Sequence, residues 1–182
     1  MNPGSAYLSD VLDQLAKLRR MGDTALSQVS EEQFFWKPDA ESNSIALIMK
    51  HMAGNMRSRW TDFLTSDGEK GDRRRDSEFE AETTDSREAI TKKWEEGWDL
   101  TITTIGGLAE TDLPKTIQIR NETHTVMQAI NRQLVHYATH VGQIVYLAKH
   151  LAGEKWKTLS IPRGESDTFE VSRMGEPYRK KR

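Results

Sequence analysis

Apolar residues recur every three or four positions in four stretches of the chain, a spacing that places them on one face of an α-helix. The stretches cover residues 7–21, 45–64, 90–108 and 130–151, and polar or charged residues fill the positions between. Four amphipathic helices cannot bury their apolar faces separately. The pattern therefore predicts an all-α fold, a four-helix bundle.

Helix-capping residues predict where three of these helices begin. Residues 42–44 are a run of cap formers ahead of the second helix. Asp85, with Glu88 three residues later, has the form of a capping box ahead of the third helix. Thr125 and Gln128 repeat this form ahead of the fourth helix.

A long crossover loop is predicted between the second and third helices. Asp67 and Gly68 form a turn signal that ends the second helix. Residues 69–82 carry many charges of both signs and almost no apolar residue besides Phe79. This composition is typical of a solvent-exposed loop.

A small hairpin is predicted between the third and fourth helices. The third helical pattern fades at Leu113 and Pro114. Ile117 and Ile119 then alternate with polar residues, and a second short run at residues 123–127 can pair back with them.

One domain and a tail account for the whole chain. With 182 residues, 36% of them hydrophobic, the sequence supports one compact domain, which we assign to residues 1–153. Residues 154–182 form a C-terminal tail with a basic end at residues 179–182. We expect the tail to pack on the bundle, either as a lid or as a cover for apolar surface through Trp156, and its basic end to be mobile.

Composition excludes several classes of function. The 26 basic and 28 acidic residues leave a net charge of -2, and the basic runs at residues 73–75 and 179–182 lack interleaved aromatic residues. We therefore expect neither a nucleic-acid nor a membrane partner.

The absence of cysteine rules out disulfides, thiolate metal ligands and a cysteine nucleophile. The N-terminus lacks the features of a signal peptide, so we expect a cytoplasmic protein.

Three of the five histidines are candidate metal ligands. His136 and His140 lie four positions apart in the last helix, which places both imidazoles on one face with their Cβ atoms about 6 Å apart. They could be exposed or be core histidines satisfied by neighbours. Their neighbours, however, place them against the bundle interior, where two neutral imidazoles need polar partners or an ion. His51, on the apolar border of the second helix, is the natural third ligand.

Three histidines without a cysteine or an obligatory carboxylate form a donor set suited to zinc or nickel. Such a set leaves open positions for water or substrate, as in catalytic rather than closed structural sites. The residues therefore predict one divalent metal ion on His51, His136 and His140. His124 and His150 lie outside this group and are expected to be structural or exposed.

Polar residues near the candidate site have two interpretations. Asn55, one turn beyond His51, could hydrogen-bond a bound water, and Gln143 could orient a ligand or an imidazole. Packing of polar groups between helices is the alternative. Arg59, two turns beyond His51, and Arg163 in the tail could bind an anionic substrate, although arginines that only solvate a surface are more common.

These motifs resemble the DinB-like (YfiT-like) superfamily. The resemblance covers about residues 7–152 and rests on His51 and Asn55 in one helix and on the HxxxH-x-x-Q pattern of the last helix. The chain is most similar to a subfamily without an assigned function. The marks of that subfamily are Asp67-Gly68-Glu69-Lys70, Arg75-Asp76 with Phe79-Glu80, and Leu159-Ser160-Ile161-Pro162-Arg163-Gly164.

The resemblance implies a four-helix bundle with zinc or nickel on three histidines, and often a homodimer. Characterised relatives include transferases and isomerases that use low-molecular-weight thiols such as bacillithiol or mycothiol, and others are described as metal-dependent hydrolases. We expect an enzyme of the thiol transferase or hydrolase type that acts on a small molecule. Metal-bound water or a thiolate would be its reactive group. The alternative is a non-catalytic binding or stress-response protein that its metal stabilises.

Overall fold

Five α-helices form most of the computed structural model, which describes residues 2–181. The helices are α1 (Pro3–Leu26), α2 (Glu31–Phe35), α3 (Ile45–Trp60), α4 (Arg87–Gly106) and α5 (Val126–Ala152). The mostly helical fold agrees with the prediction. Met1, the first residue of the predicted domain, and Arg182, the last residue of the predicted tail, lie outside the described residues.

The four long helices contact one another in pairs. α1 packs against α4 and α5, and α3 packs against the same two helices. Their apolar faces share one core, in which the rings of Trp94 and Trp98 meet edge to face with centroids 5.5 Å apart. This packing makes neighbours of α3 and α5, the helices that carry the three candidate histidines. None of the helices among residues 2–181 is long and apolar enough to cross a lipid bilayer.

Side-chain caps begin the helices largely as predicted. Ser44 caps α3, and Thr125 and Gln128 form the capping box of α5. α4 differs, because Ser86 rather than Asp85 is its N-cap. The Asp85 carboxylate instead binds the Lys50 ammonium of α3, with Oδ2 and Nζ 2.9 Å apart.

Two helices end earlier than predicted. α3 stops at Trp60 and α4 at Gly106. After Trp60 the chain turns through Asp62, which has a positive φ of 48°. Phe63 still reaches the core from this turn. The apolar periodicity therefore continued past the point where the helix itself ends.

The predicted hairpin is present between α4 and α5. Strand β1 (Thr116–Ile119) pairs antiparallel with strand β2 (Glu122–Thr125). Arg120 and Asn121 form its two-residue turn with φ of 55° and 62°, the left-handed conformation that such short hairpin turns require. The Asp67 carboxylate accepts the N–H groups of both turn residues, at 2.9 and 3.0 Å. The hairpin is thereby tied to the beginning of the crossover loop.

The C-terminal segment contains a second hairpin that the sequence did not predict. Strand β3 (Phe169–Val171) pairs antiparallel with strand β4 (Pro177–Arg179). Trp156 packs against the core, and the turn of this hairpin contacts α1 through an ion pair of 2.9 Å between Arg173 and Asp13. Strands of three residues are too short to show an alternating pattern.

Candidate metal centre

Helices α3 and α5 bring three imidazole rings together. His51 comes from the middle of α3, and His136 and His140 come from successive turns of α5. Nε2 of His136 lies 3.2 Å from Nε2 of His51 and 3.0 Å from Nε2 of His140. Two nitrogens bound to one tetrahedral zinc at about 2.0–2.1 Å would lie about 3.3–3.4 Å apart. The histidine cluster is therefore compatible with a metal site.

Two of the three rings have a hydrogen-bond partner on the side that faces away from the cluster. Nδ1 of His51 lies 2.9 Å from Oε2 of Glu78, and Nδ1 of His140 lies 2.8 Å from Oε1 of Gln143. Such partners fix the ring orientation of metal-binding histidines and select the tautomer whose Nε2 lone pair is free. Nδ1 of His136 is buried and has no hydrogen-bond partner among residues 2–181.

Burial keeps the imidazoles of His136 and His140 neutral. Burial, together with the nearby His140 and His51, lowers the pKa of His136 to about 3. Burial also lowers the pKa of His140, although the hydrogen bond with Gln143 opposes this. Neutral imidazole is the form that binds metal ions.

The short contacts that Nε2 of His136 makes with His51 and His140 cannot both be hydrogen bonds between neutral rings. Burial would raise the pKa of Glu78, but hydrogen bonds from Arg73 and His51 outweigh burial and lower it, so Glu78 is a carboxylate. His51 therefore donates from Nδ1, and in the neutral ring its Nε2 carries a lone pair. Nε2 of His136 can donate to only one neighbour. If it instead accepts a hydrogen bond from Nε2–H of His140, its only lone pair is used there, and the lone pair of His51 has no hydrogen to meet. With neutral rings, at least one short contact therefore lacks a hydrogen bond, a conflict that a cation removes.

The crossover loop covers the outer side of His51. Arg73 donates two hydrogen bonds of 2.8 Å to the Glu78 carboxylate, and both side chains are buried. The ring of Phe79 stacks on the imidazole of His51, with centroids 4.6 Å apart. Gly54 of α3 makes room for this approach, because a side chain there would collide with the Glu78 carboxylate. The prediction that the crossover loop is solvated is wrong for Arg73 and Glu78, whose side chains are buried.

Sequence reasoning missed Glu78 and Arg73. Charged residues within a charged segment are usually exposed, and no periodicity marks the ones that fold inward. Phe79 was the one local signal, because an apolar ring in a polar loop gains free energy by packing against the core.

Asn55 and Arg59 lie on α3 beside the histidine cluster. Both are buried, and both line a cavity of about 180 Å³ that His51 and His136 also line. Oδ1 of Asn55 accepts a hydrogen bond of 3.3 Å from the hydroxyl group of Tyr137. Asn55 thus has a packing role, whereas Nε and Nη1 of Arg59 are buried without a hydrogen-bond partner among residues 2–181.

Gln143 contacts the cluster and Arg163 does not. Gln143 orients the imidazole of His140. Arg163 is exposed in the C-terminal segment and does not line the cavity beside the histidines. The side chain of His124 bonds within its own hairpin, and His150 lies beside an aromatic ring of the connection after α2, so neither belongs to the cluster.

Comparisons with known proteins agree with this fold. A crystal structure of a DinB-like protein (YjoA) from Bacillus subtilis is similar to this chain with a TM-score of 0.61 and 14% sequence identity. The similarity covers 81% of this chain and 95% of that chain, and at this identity it shows the fold alone. No curated protein matches the chain. The family model described as "Protein of unknown function (DUF1572)" matches residues 2–165, so the chain belongs to this family, and its fold is DinB-like, as the sequence motifs indicated.

Proposed function

We propose that this protein is a divalent-metal-dependent enzyme whose ion, zinc or nickel, is held by His51, His136 and His140. The observation that supports the proposal most strongly is the close approach of Nε2 of His136 to Nε2 of His51 and of His140, two contacts that neutral rings cannot both make as hydrogen bonds. Neutral nitrogen donors without a thiolate suit these two ions. We also infer that α1, α3, α4 and α5, whose contacts form a closed cycle, are the predicted four-helix bundle.

The surrounding residues position the site. Glu78 and Gln143 hold two of the rings from behind, and Arg73 holds Glu78. When bound, the ion would supply Lewis-acid activation of a water molecule or of a thiol. Three protein ligands leave a position for that group. Hydrolysis and the transfer of a low-molecular-weight thiol such as bacillithiol are the two reaction classes that fit, and a chain without cysteine needs an external thiol for the second.

Metal content tests the site directly. Elemental analysis of untagged protein should find one equivalent of zinc or nickel, and His51→Ala, His136→Ala and His140→Ala should each release it. His124→Ala removes a histidine outside the cluster and should retain the metal. If the untagged wild-type protein holds no zinc, nickel, manganese or iron, the proposal is wrong.

Cobalt spectroscopy distinguishes the two reaction classes. Cobalt(II)-loaded protein titrated with bacillithiol should develop the near-ultraviolet absorption of a cobalt–thiolate bond if a thiol is the reactant. The His140→Ala variant should not develop it. An unchanged spectrum, combined with zinc-dependent cleavage of ester or amide substrates, would assign the hydrolase class instead.

A second candidate is a non-catalytic binding or stress-response protein. His51 is only 4% exposed and contacts α5 and the crossover loop, so an ion there would join three elements of the fold. In that case His51→Ala should lower the melting temperature. Neither thiols nor electrophiles should then change the cobalt spectrum or the stability of the wild-type protein.

We further propose a cytoplasmic homodimer. Val135 and Tyr146 are 69% and 78% exposed on α5 and offer apolar surface to a second copy. Light scattering should give about twice the chain mass of 20.8 kDa. Tyr146→Glu should shift the protein towards the monomer, whereas a monomeric wild-type protein would contradict the proposal.

A further inference from the structure

Arginine side chains dominate the cavity beside the histidine cluster. Its volume is about 180 Å³, and no carboxylate lines it within residues 2–181. Two of the histidines, His51 and His136, form part of its wall. The arginines that line it are Arg59, Arg73, Arg75, Arg120 and Arg132.

Two of these arginines are already paired with carboxylates outside the cavity. Arg73 binds Glu78 at 2.8 Å and Glu69 at 3.1 Å. Arg120 lies 3.4 Å from the same Glu69. These pairs balance part of the positive charge, so the uncompensated charge belongs to the other three arginines.

Arg59 is buried without an acceptor. It is 3% exposed, and its Nε and Nη1 atoms have no hydrogen-bond partner among residues 2–181. Burial, reinforced by the charges of Arg132 and Arg73, lowers the pKa of Arg59, although Tyr137 and Glu69 oppose this. A buried charge without a partner destabilises the fold, and a bound anion would compensate it.

Arg75 and Arg132 add further charge to the cavity wall. Arg132 is exposed on α5 and forms no ion pair with any of residues 2–181. The carboxylate near Arg75 belongs to the exposed Asp76, 3.9 Å away, which is too far for a hydrogen bond. Both guanidinium groups can therefore contact a ligand without breaking a strong pair.

The guanidinium of Arg59 packs closely against Gly68. A side chain at position 68 would collide with Nη1 of Arg59. Gly68 itself is held by two hydrogen bonds, from its N–H to the carbonyl of Gln118 at 2.9 Å and from the hydroxyl of Ser58 to its own carbonyl at 3.2 Å. The donor atoms of Arg59 are thus positioned by the fold.

We propose that this cavity binds an oxyanion group of the substrate, a carboxylate or a phosphate, between Arg59, Arg75 and Arg132. Its volume is below the range of about 300–1,000 Å³ of drug-sized ligand pockets, which suits a charged head group. Because His51 and His136 line the same cavity, the bound anion would hold the rest of the substrate beside the histidine cluster. That the bound anion is part of a substrate rests on the proposed function, whereas anion binding itself needs no metal.

Isothermal titration with inorganic phosphate and with malonate, at fixed ionic strength, tests the inference. At least one anion should bind saturably to untagged protein, both in the presence of chelator and after loading with zinc, and the tighter of the two identifies the oxyanion. Arg59→Gln and Arg132→Gln should each weaken this binding by about tenfold or more, the loss expected for one charge-assisted hydrogen-bonded contact. Arg57→Gln is the matched control. Arg57 lies on α3, is 68% exposed on its side chain and lines a different cleft, so its loss should leave the dissociation constant unchanged.

Melting temperatures give a second readout that also reports on folding. Arg59→Gln replaces an unpaired buried charge by a neutral amide, so its melting temperature in anion-free buffer should equal or exceed that of the wild-type protein. The increase in melting temperature that phosphate gives to the wild-type protein should be lost. Because Arg132 is exposed, Arg132→Gln keeps the test decisive if Arg59→Gln does not fold.

The outcomes separate this inference from the proposed metal centre. Saturable binding that Arg59→Gln and Arg132→Gln weaken, and Arg57→Gln does not, supports the inference even if the protein holds no metal. Binding that the chelator abolishes and that both cavity variants leave unchanged places the anion on the metal and overturns the inference alone. Absence of saturable binding, or its loss only in Arg57→Gln, also overturns it.

Discussion

Oε2 of Glu78 accepts a hydrogen bond from Nδ1 of His51 at a distance of 2.9 Å. The same carboxylate accepts two hydrogen bonds from Arg73, so the crossover loop, α3 and the candidate metal centre are linked. Changes in this loop should therefore alter the affinity of the candidate centre for a metal ion.

Replacing Glu78 by glutamine should weaken zinc binding by about 10–100-fold without abolishing it, as is typical when the partner of a metal-binding histidine is changed. The amide can still accept from His51, but it loses the negative charge and leaves Arg73 unpaired. A competition titration with a chromophoric chelator measures the affinity. Glu80→Gln, at an exposed position of the same loop, should leave the affinity unchanged. Equal affinities of Glu78→Gln and wild type would show that this hydrogen bond does not support the metal.

Gly54→Ala should disturb the same contact from the side of α3. The new methyl group would collide with the Glu78 carboxylate, so we expect a loss of about 1–3 kcal/mol in the free energy of unfolding, together with weaker zinc binding. Gly142 on α5 has no atom within 4 Å of where its Cβ would lie. Gly142→Ala should therefore raise the free energy of unfolding by about 0.5–1 kcal/mol through helix propensity. Urea denaturation of both variants checks this contrast, and a Gly54→Ala variant as stable as Gly142→Ala would contradict it.

Tyr137→Phe should lower the free energy of unfolding by about 1–3 kcal/mol, because it removes a buried hydrogen-bonding group. The Tyr137 hydroxyl accepts the indole N–H of Trp60 at 2.9 Å and lies 3.3 Å from Oδ1 of Asn55, both buried. Chemical denaturation at pH 7 measures the loss. The exposed Tyr178 provides the control, since Tyr178→Phe should change the stability by less than about 0.5 kcal/mol.

The ion pair between Lys50 and Asp85 should make stability depend on pH. Burial would raise the pKa of Asp85, but hydrogen bonds from the N–H of Glu82 and from Lys50 outweigh burial and lower it. Because the pKa is lower in the folded than in the unfolded state, where it is about 3.9, the pair stabilises the protein above about pH 4. This contribution is lost as the pH falls through the folded-state pKa.

Asp85→Asn should therefore lose about 1–3 kcal/mol relative to wild type at pH 7, and the difference should shrink below about pH 4. Urea denaturation between pH 7 and pH 3 measures it. Glu95→Gln, at an exposed position in the middle of α4, makes the same change of charge and should show no such dependence. A difference between Asp85→Asn and wild type that stays constant over this range would exclude the electrostatic explanation.

The local pattern of apolar residues was sufficient to predict the helices and part of the histidine cluster. The free energy of burying apolar surface repeats with the period of the helix, so the face of α5 that carries His136 and His140 could be identified from its neighbours. His51 followed from the same argument on α3. The hairpin before α5 was also predictable, because Ile117 and Ile119 alternate with polar residues and both are buried.

Tertiary structure alone decided what surrounds the histidines. Glu78 lies 27 positions from His51, and its burial depends on Arg73 and on the space above Gly54, neither of which is visible as a periodic pattern. The arginines of the cavity come from α3, the crossover loop, the hairpin turn and α5, and only the packing of these elements brings them together. The sequence by itself determined which helix faces are buried and which residues could bind a metal, because those properties depend on neighbours within a few turns. The partners of the histidines and the charge of the cavity depend on contacts between distant segments, and these exist only once the chain has folded.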